Sequence, residues 1–552
     1  MRFATFAAAF VLAGCGAQHT RARTPAVGPL PAVVVTIVVD QFAAWIAQER
    51  LDTLPSTGGF ARLRREGTWF RQLRYEHAAT DTAPGHSALY TGQPPRESGI
   101  FANEVLDAHG ARISILRDES ARLVTPDGQV DAAGSSIARL RIPTLADRLR
   151  EARPRATIVS VSLKDRGAIF GGGRHPDATL WFDPSREMFV TSTAFASSYP
   201  AWARARGAHD AVLALRAAPW TVVDESWVRA HAATPDDQPG EGDLDGWGTT
   251  FPHDFAHARR PGSALRASPR GDQAVAALAL DAVDHARRAN EPMLLAISLS
   301  SNDYVGHLFG PDSWEAWDQL RRLDATLAQL FDGLDARVGS QRWALVLSGD
   351  HGIVTLPEAS RVAASRPWCS HGAAADAFER PCTEVSRLLP DDIARELEAT
   401  AQTAIGAGHW VLGVADPYVF LTPEGEALGA SRRTQLIDAL TARLRAHAEI
   451  VRVERTDSVA TDCAAGESMD ALLCHAIPPR NGAVLYAMTR AGAFFDAGYV
   501  NGFGTSHGSP YLFDRAVPLF VRAPGTVPAG RVEVAPIRFT EFRAYAERLL
   551  GL

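Results

Sequence analysis

The sequence predicts an α/β protein with a mostly parallel central sheet, helices on both faces and an inserted cap subdomain. Three observations carry that expectation. Short apolar runs recur along the chain, helical periodicity fills the stretches between them, and one cysteine-bearing segment breaks the alternation. Near-continuous apolar runs suit strands buried on both faces, and strands alternating with helices build parallel sheets.

The runs are AVVVTIVV (residues 32–39), ATIVSVSL (156–163), MLLAISLS (293–300), WALVLS (343–348) and VPLFV (517–521), all expected as buried parallel strands. The clearest helix puts Leu320, Leu323, Leu327 and Leu330 on one face; IPTLADRLREA, with Pro143 near its start, is another. Residues 171–261 are rich in Trp, Pro, Gly and Asp, which predicts an irregular insertion. Residues 358–480 hold four cysteines and two amphipathic patterns, DDIARELEATAQTA and SRRTQLIDALTARLRAHA, and are expected to form the inserted subdomain. The core would then comprise residues 31–357 and 481–552.

The chain has 552 residues, 46% of them hydrophobic and 22% charged, enough for several domains or one large core. A net charge of −7, with no lysine-rich tail, argues against a general nucleic-acid binder. Arg2 is followed by FATFAAAFVLAGC, an apolar run too short for a permanent membrane span. Leu12-Ala13-Gly14-Cys15 resembles the bacterial lipobox, so residues 1–14 are expected to be a lipoprotein signal peptide and Cys15 the lipidated residue. The alternative is an ordinary secretory signal with a chance cysteine. Gly16 after the cysteine leans towards the outer membrane, and residues 15–30 read as a polar tether on a periplasm-facing protein. Membrane contact would be through that anchor alone. Cys369, Cys382, Cys463 and Cys474 are an even set in an exported chain, which suggests two disulfides. Local pairing gives Cys369–Cys382 and Cys463–Cys474, one of three connectivities. Zinc binding by the four is the alternative, without Cys-x-x-Cys spacing to support it.

The strands share a feature that burial does not require. TIVV ends in Asp40; LAISLSSN runs into Asp303, with His307 four residues on; ALVLSG ends in Asp350-His351; and GFGTSHGSP places His507 among glycines. The carboxyl ends of parallel strands are where open α/β sheets bind ligands. Each residue alone is an ordinary turn or surface group. Together, this Asp/His mixture suits zinc better than magnesium, which prefers oxygen alone, and six ligands are what two neighbouring metals need.

Thr82, in RYEHAATDTAPGHSALYTGQ, stands before a proline-led helical start. It is either an N-cap or a nucleophile held where helix N–H groups face an anion. Asp40, Thr82 in TAPGH, Asp303 with His307, Asp350-His351 and His507 in GTSHG match, in order, the pattern of the alkaline phosphatase superfamily. The branch it resembles is that of the nucleotide pyrophosphatase/phosphodiesterases, which also carries an asparagine like Asn103 in SGIFANEV. Lys164 and Arg166 in SLKDRGAI are similar to the PafA-type branch of bacterial alkaline phosphatases, which act on phosphate monoesters. Taken alone, the pair reads as solvated charges beyond a strand.

That resemblance implies an alkaline phosphatase-like fold and two Zn2+ ions. One would be held by Asp303, His307 and His507, the other by Asp40, Asp350, His351 and the Thr82 oxygen. It implies Thr82 as nucleophile, a phosphothreonine intermediate, and Asn103, Lys164 and Arg166 on the phosphoryl oxygens. His86, Asp81 and His175 are expected as supporting or structural residues. No third, magnesium site is found, and the Cys-x-Pro-x-Arg sulfatase motif is absent. The expected substrates are small-molecule phosphate monoesters. The alternatives are a phosphodiesterase or nucleotide pyrophosphatase on the same scaffold, and a lipoprotein that only binds a phosphorylated ligand. The oligomeric state, monomer or otherwise, is not legible.

Overall fold

The structure, a computed structural model, describes residues 30–362, 367–371 and 377–552. The signal peptide, Cys15 and the tether up to residue 29 lie outside the described residues.

Five parallel strands form the centre of a twelve-stranded sheet: Ala178–Asp183, Thr157–Ser162, Met293–Leu299, Val33–Val39 and Trp343–Gly349, in that spatial order. Their residues are buried on both faces. Val33, Val35, Ile37 and Val39 enter one core with the helices Ala44–Arg50, Gly59–Glu66, Pro269–His285 and Trp314–Val338. Val34 and Val38 enter the other, with Thr82–Thr91, Leu145–Ala152, Asp165–Gly172 and Thr540–Leu550. Successive side chains of a strand point to opposite faces, so one apolar run feeds two cores. Leu320, Leu323, Leu327 and Leu330 all lie in the first of these. Thr144 opens the Leu145–Ala152 helix with a reciprocal capping box to Asp147, and Pro143 stands just before that cap.

Two expectations are corrected. The strand at 517–521, observed as Ala516–Arg522, is not parallel: it runs antiparallel to Trp343–Gly349 and to Thr68–Arg74. Its apolar run reports burial on both faces, which does not encode direction. Residues 171–261 are not loops alone, because Ala178–Asp183 and Met188–Ser192 belong to the central sheet. Six- and five-residue strands leave too short a pattern to stand out among Pro and Gly.

Within and beyond residues 358–480 lies a four-stranded sheet, Val411–Ala415, Tyr418–Leu421, Leu485–Thr489 and Ile450–Arg455. The helices Pro390–Ile405 and Ala430–Arg445 pack on it through a separate apolar core. Its Leu485–Thr489 strand runs past residue 480. The four cysteines form Cys369–Cys382 and Cys463–Cys474 disulfides. Among the described residues, no helix is long and apolar enough to cross a membrane.

Candidate active site

Strand register assembles the centre. Val39 lies level with Leu299 on one side and Gly349 on the other, so Asp40 and Asp350 leave the sheet side by side. Asp303 follows in the first turn of Ser301–Phe309, with His307 one turn later, 3.2 Å away from Nε2 to Oδ1. His351 Nε2 lies 3.3 Å from Asp40 Oδ1, 3.6 Å from Asp350 Oδ2 and 3.9 Å from Asp303 Oδ1. His507 Nε2 is 3.7 Å from Asp303 Oδ1, and its ring stacks on that of His351 with centroids 3.6 Å apart. Two groups spaced to hold a metal result, Asp40/Asp350/His351 and Asp303/His351/His507, all buried. His351 stands between them, and His307 flanks the second.

The atoms facing the centre fit cations. Among the described residues, Asp40 Oδ1 and His351 Nε2 are buried without a hydrogen bond, while Asp40 Oδ2 faces the Lys164 ammonium at 2.8 Å and Asp350 Oδ2 the His86 ring at 3.0 Å. Unpaired buried groups of this kind are costly unless a cation completes them. His307, His351 and His507 each spend Nδ1 on a backbone carbonyl, of Thr505 (2.7 Å), Gly352 (3.0 Å) and Thr80 (2.8 Å). A ring whose Nδ1–H is donated away keeps its Nε2 lone pair for a metal. Imidazole with carboxylate is a zinc donor set. Burial, then the His351 charge, pushes His507 down to about 4, which keeps that lone pair free of a proton. Burial also pulls His351 down, but the Asp350 and Asp40 carboxylates outweigh it and raise it to about 10.

Lys164 joins the two groups. Its Nζ is 2.8 Å from Asp40 Oδ2, 2.5 Å from Asp303 Oδ2, and donates to Thr82 Oγ1 over 3.1 Å. Burial and the Asp303 charge push the Asp40 carboxyl up; Lys164 and His351 outweigh both and hold it well below the usual range.

Thr82 is the first residue of its helix, not the cap. Asp81 holds the N-cap position and its side chain makes no capping bond. Asn103 Oδ1 instead accepts from the Ala83 N–H at 2.8 Å, and Asn103 lines the cleft. Gly85 lets the helix lie close against Asp350, since a Cβ there would meet the Asp350 carbonyl oxygen at 2.5 Å. Arg166 lines the same cleft, with a buried Nε that has no hydrogen-bond partner among the described residues. The cleft encloses about 290 Å³ and opens on His307 and His507.

The supporting residues divide. His86 bonds the Thr82 carbonyl oxygen and Ser298 Oγ, each at 2.9 Å, and lies 3.0 Å from Asp350. Asp81 Oδ1 is 3.3 Å from His507 Nδ1. His175 is exposed, and among the described residues only its carbonyl oxygen is engaged, by Arg150. Gln41 was not legible as a site residue. Its backbone N–H donates to Asp350 Oδ1 and its Nε2 to Asp303 Oδ1, each at 3.0 Å, from a left-handed φ of 64°. Its one sequence signal is its place directly after Asp40.

A buried pair of Asp/His groups at the carboxyl ends of a parallel sheet, with a lysine and a helix-N-terminal threonine between them, defines a metal-and-anion site on an α/β scaffold. The chain belongs to the type I phosphodiesterase / nucleotide pyrophosphatase family, whose model matches residues 34–371. It is 33% identical over 340 residues to alkaline phosphatase PhoV of Synechococcus elongatus, covering 59% of this chain and 60% of PhoV. With alkaline phosphatase PafA of Elizabethkingia meningoseptica the identity is 33% over 347 residues, 61% of this chain and 62% of PafA. Alkaline phosphatase PhoK of a Sphingomonas species matches at 29% over 511 residues, 90% of this chain and 84% of PhoK. The chain thus spans about three fifths of the length of PhoV and PafA. The crystal structure of wild-type alkaline phosphatase PafA superposes with a TM-score of 0.80 at 23% identity, covering 95% of this chain and 96% of that one. At that identity the likeness establishes the fold.

Proposed function

We propose that the protein is a zinc-dependent phosphatase that hydrolyses phosphate monoesters through a phosphothreonine at Thr82. One observation carries this reading: Lys164 Nζ lies within reach of Thr82 Oγ1 and of a carboxylate from each metal-spaced group. The nucleophile and both groups therefore converge on one point.

Asp40, Asp350 and His351 would hold one zinc, and Asp303, His307 and His507 the other. Bound there, zinc supplies Lewis acidity, which lowers the pKa of a hydroxyl and offsets charge on a departing oxygen. Thr82 Oγ1 gives up its proton to solvent and forms a bond to phosphorus while the ester P–O bond breaks, and the departing oxygen takes a proton from solvent and leaves as the alcohol. Water then cleaves the phosphothreonine, releasing phosphate and restoring the hydroxyl. The Asn103 NH2, the Lys164 ammonium and the Arg166 guanidinium grip the phosphoryl oxygens, where the charge of a loose transition state resides. The N-terminus of Thr82–Thr91 adds its own attraction for an anion.

Lys164 and Arg166 favour a dianionic monoester over a singly charged diester. The family's name favours a phosphodiesterase, which is the second reading. For the cell, we propose a lipid-anchored, periplasm-facing protein; Leu12-Ala13-Gly14-Cys15 supports it, and two disulfides fit an oxidising compartment. The test is kcat/KM of the zinc-loaded protein for an aryl phosphate monoester and the matching diester. A higher value for the monoester is expected; a higher value for the diester overturns the reading.

A further inference from the structure

The cleft above His307 and His507 is walled by carboxylates. Asp416 lines it and makes no hydrogen bond or ion pair among the described residues. Asp81 lies alongside: a Cβ at Gly508 would sit 3.5 Å from Asp81 Oδ1 and 3.9 Å from Asp416 Oδ2. Glu104, on the same wall, is exposed and also free of ion pairs among the described residues. Burial, then the Asp81 charge, pushes the Asp416 carboxyl well above its usual range, against a pull from Arg112 and with a smaller push from Glu104. A cation entering beside it favours its charged form again.

Of the positive groups of the cleft, Arg112 pulls on Asp416 but is shared with Asp391, at 2.5 Å, and with the Val414 carbonyl oxygen, to which it donates. Arg166 is the residue assigned to the phosphoryl group. On the same lining, Tyr499 has its ring 4.9 Å from that of His307. Ser506, nine-tenths buried on the same lining, makes no side-chain hydrogen bond among the described residues. Those two offer an aromatic face and a hydroxyl to whatever the phosphate is attached to. With the phosphoryl group on Lys164 and Arg166, the alcohol portion must occupy this acidic vestibule.

We propose that Asp416, with Asp81 and Glu104, selects leaving groups by charge, so that phosphate monoesters of amino alcohols are preferred and those bearing a further anion are rejected. The inference rests on the phosphatase reading of the site. An ammonium relieves the crowding of the carboxylates and meets an aromatic face, whereas a second carboxylate or phosphate adds to the repulsion.

The experiment uses the zinc-loaded full chain at pH 8 and three small monoesters: 2-aminoethyl phosphate, glycerol phosphate and phosphoglycolate. The expected order of kcat/KM is cationic, neutral, anionic, with on the order of tenfold per unit charge at low salt. Raising the ionic strength should compress the series, since an open cleft is screened. Asp416→Asn should lower the cationic-to-anionic ratio several-fold and Glu104→Gln less, because Glu104 is the more exposed. Equal rates for the three esters, or a ratio unmoved by salt and by both substitutions, would overturn the proposal. Should Asp416→Asn fail to fold, the salt series and Glu104→Gln decide it. Failure to hydrolyse any of the three would sink the phosphatase reading itself, an outcome distinct from equal rates.

Discussion

Lys164 Nζ donates to Thr82 Oγ1 over 3.1 Å, although 82 residues separate them in the chain. The lysine follows a central strand and the threonine opens a helix packed beside it. A hydroxyl whose oxygen accepts from an ammonium is poised to bear negative charge.

Thr82→Ala should lower phosphatase kcat by on the order of a thousandfold or more, as loss of a covalent nucleophile does. Zinc content should persist, because the six Asp and His side chains remain. Acid quenching of the wild type with labelled substrate should mark a peptide containing Thr82. Undiminished turnover in the variant rules the assignment out.

Replacing both Lys164 and Arg166 by alanine should cost the monoester on the order of a hundredfold in kcat/KM, as for other preorganised charge contacts. Diester hydrolysis should fall much less, since it presents less charge. Equal losses would remove the pair as the selectivity element and strengthen the diesterase reading.

Gln41→Asn keeps a residue tolerant of the left-handed φ but is too short to preserve the 3.0 Å bond to Asp303. Zinc affinity should drop by roughly tenfold to a hundredfold, the usual cost of losing a group that orients a metal ligand. Competition with a chromogenic chelator reads this without reference to turnover. Unchanged affinity would make Gln41 purely structural.

Metal removal should expose the titration of His351. Its folded pKa of about 10 lies above the ordinary histidine value, despite burial, because Asp350 and Asp40 surround it. The stability it contributes is therefore fully present below about pH 6.5 and lost as pH rises towards 10. Chelated protein should show a falling Tm across that window, and zinc-loaded protein a flatter profile, since the metal replaces the proton on Nε2. Zinc binding near pH 8 should release a proton. A flat profile for the metal-free protein contradicts the assignment.

Pairing is also measurable. Thiol titration of unfolded, unreduced mature protein should find none of Cys369, Cys382, Cys463 and Cys474 reactive, given the two disulfides. Four reactive thiols would refute it.

The sequence by itself determined the strand ends and hence the residues of the centre. Asp40, Asp303 and Asp350 each follow an apolar run that must be buried, so they must emerge at one edge of a sheet. Local pairing of the cysteines was legible for a similar reason, because short loops close at least entropic cost. Only the tertiary structure decided which strands adjoin and in which direction. The antiparallel course of Ala516–Arg522 is set by its pairing with the distant strand Trp343–Gly349, while its own apolar pattern is the same either way. The role of Gln41 likewise arises from two carboxylates that register brings to it from distant strands. Asp416 reaches the vestibule from the four-stranded sheet, and nothing in its neighbouring residues encodes that meeting. Local sequence fixes burial and periodicity, which are properties of a segment. Contacts between segments depend on how the whole chain closes its cores, and no segment carries that information alone.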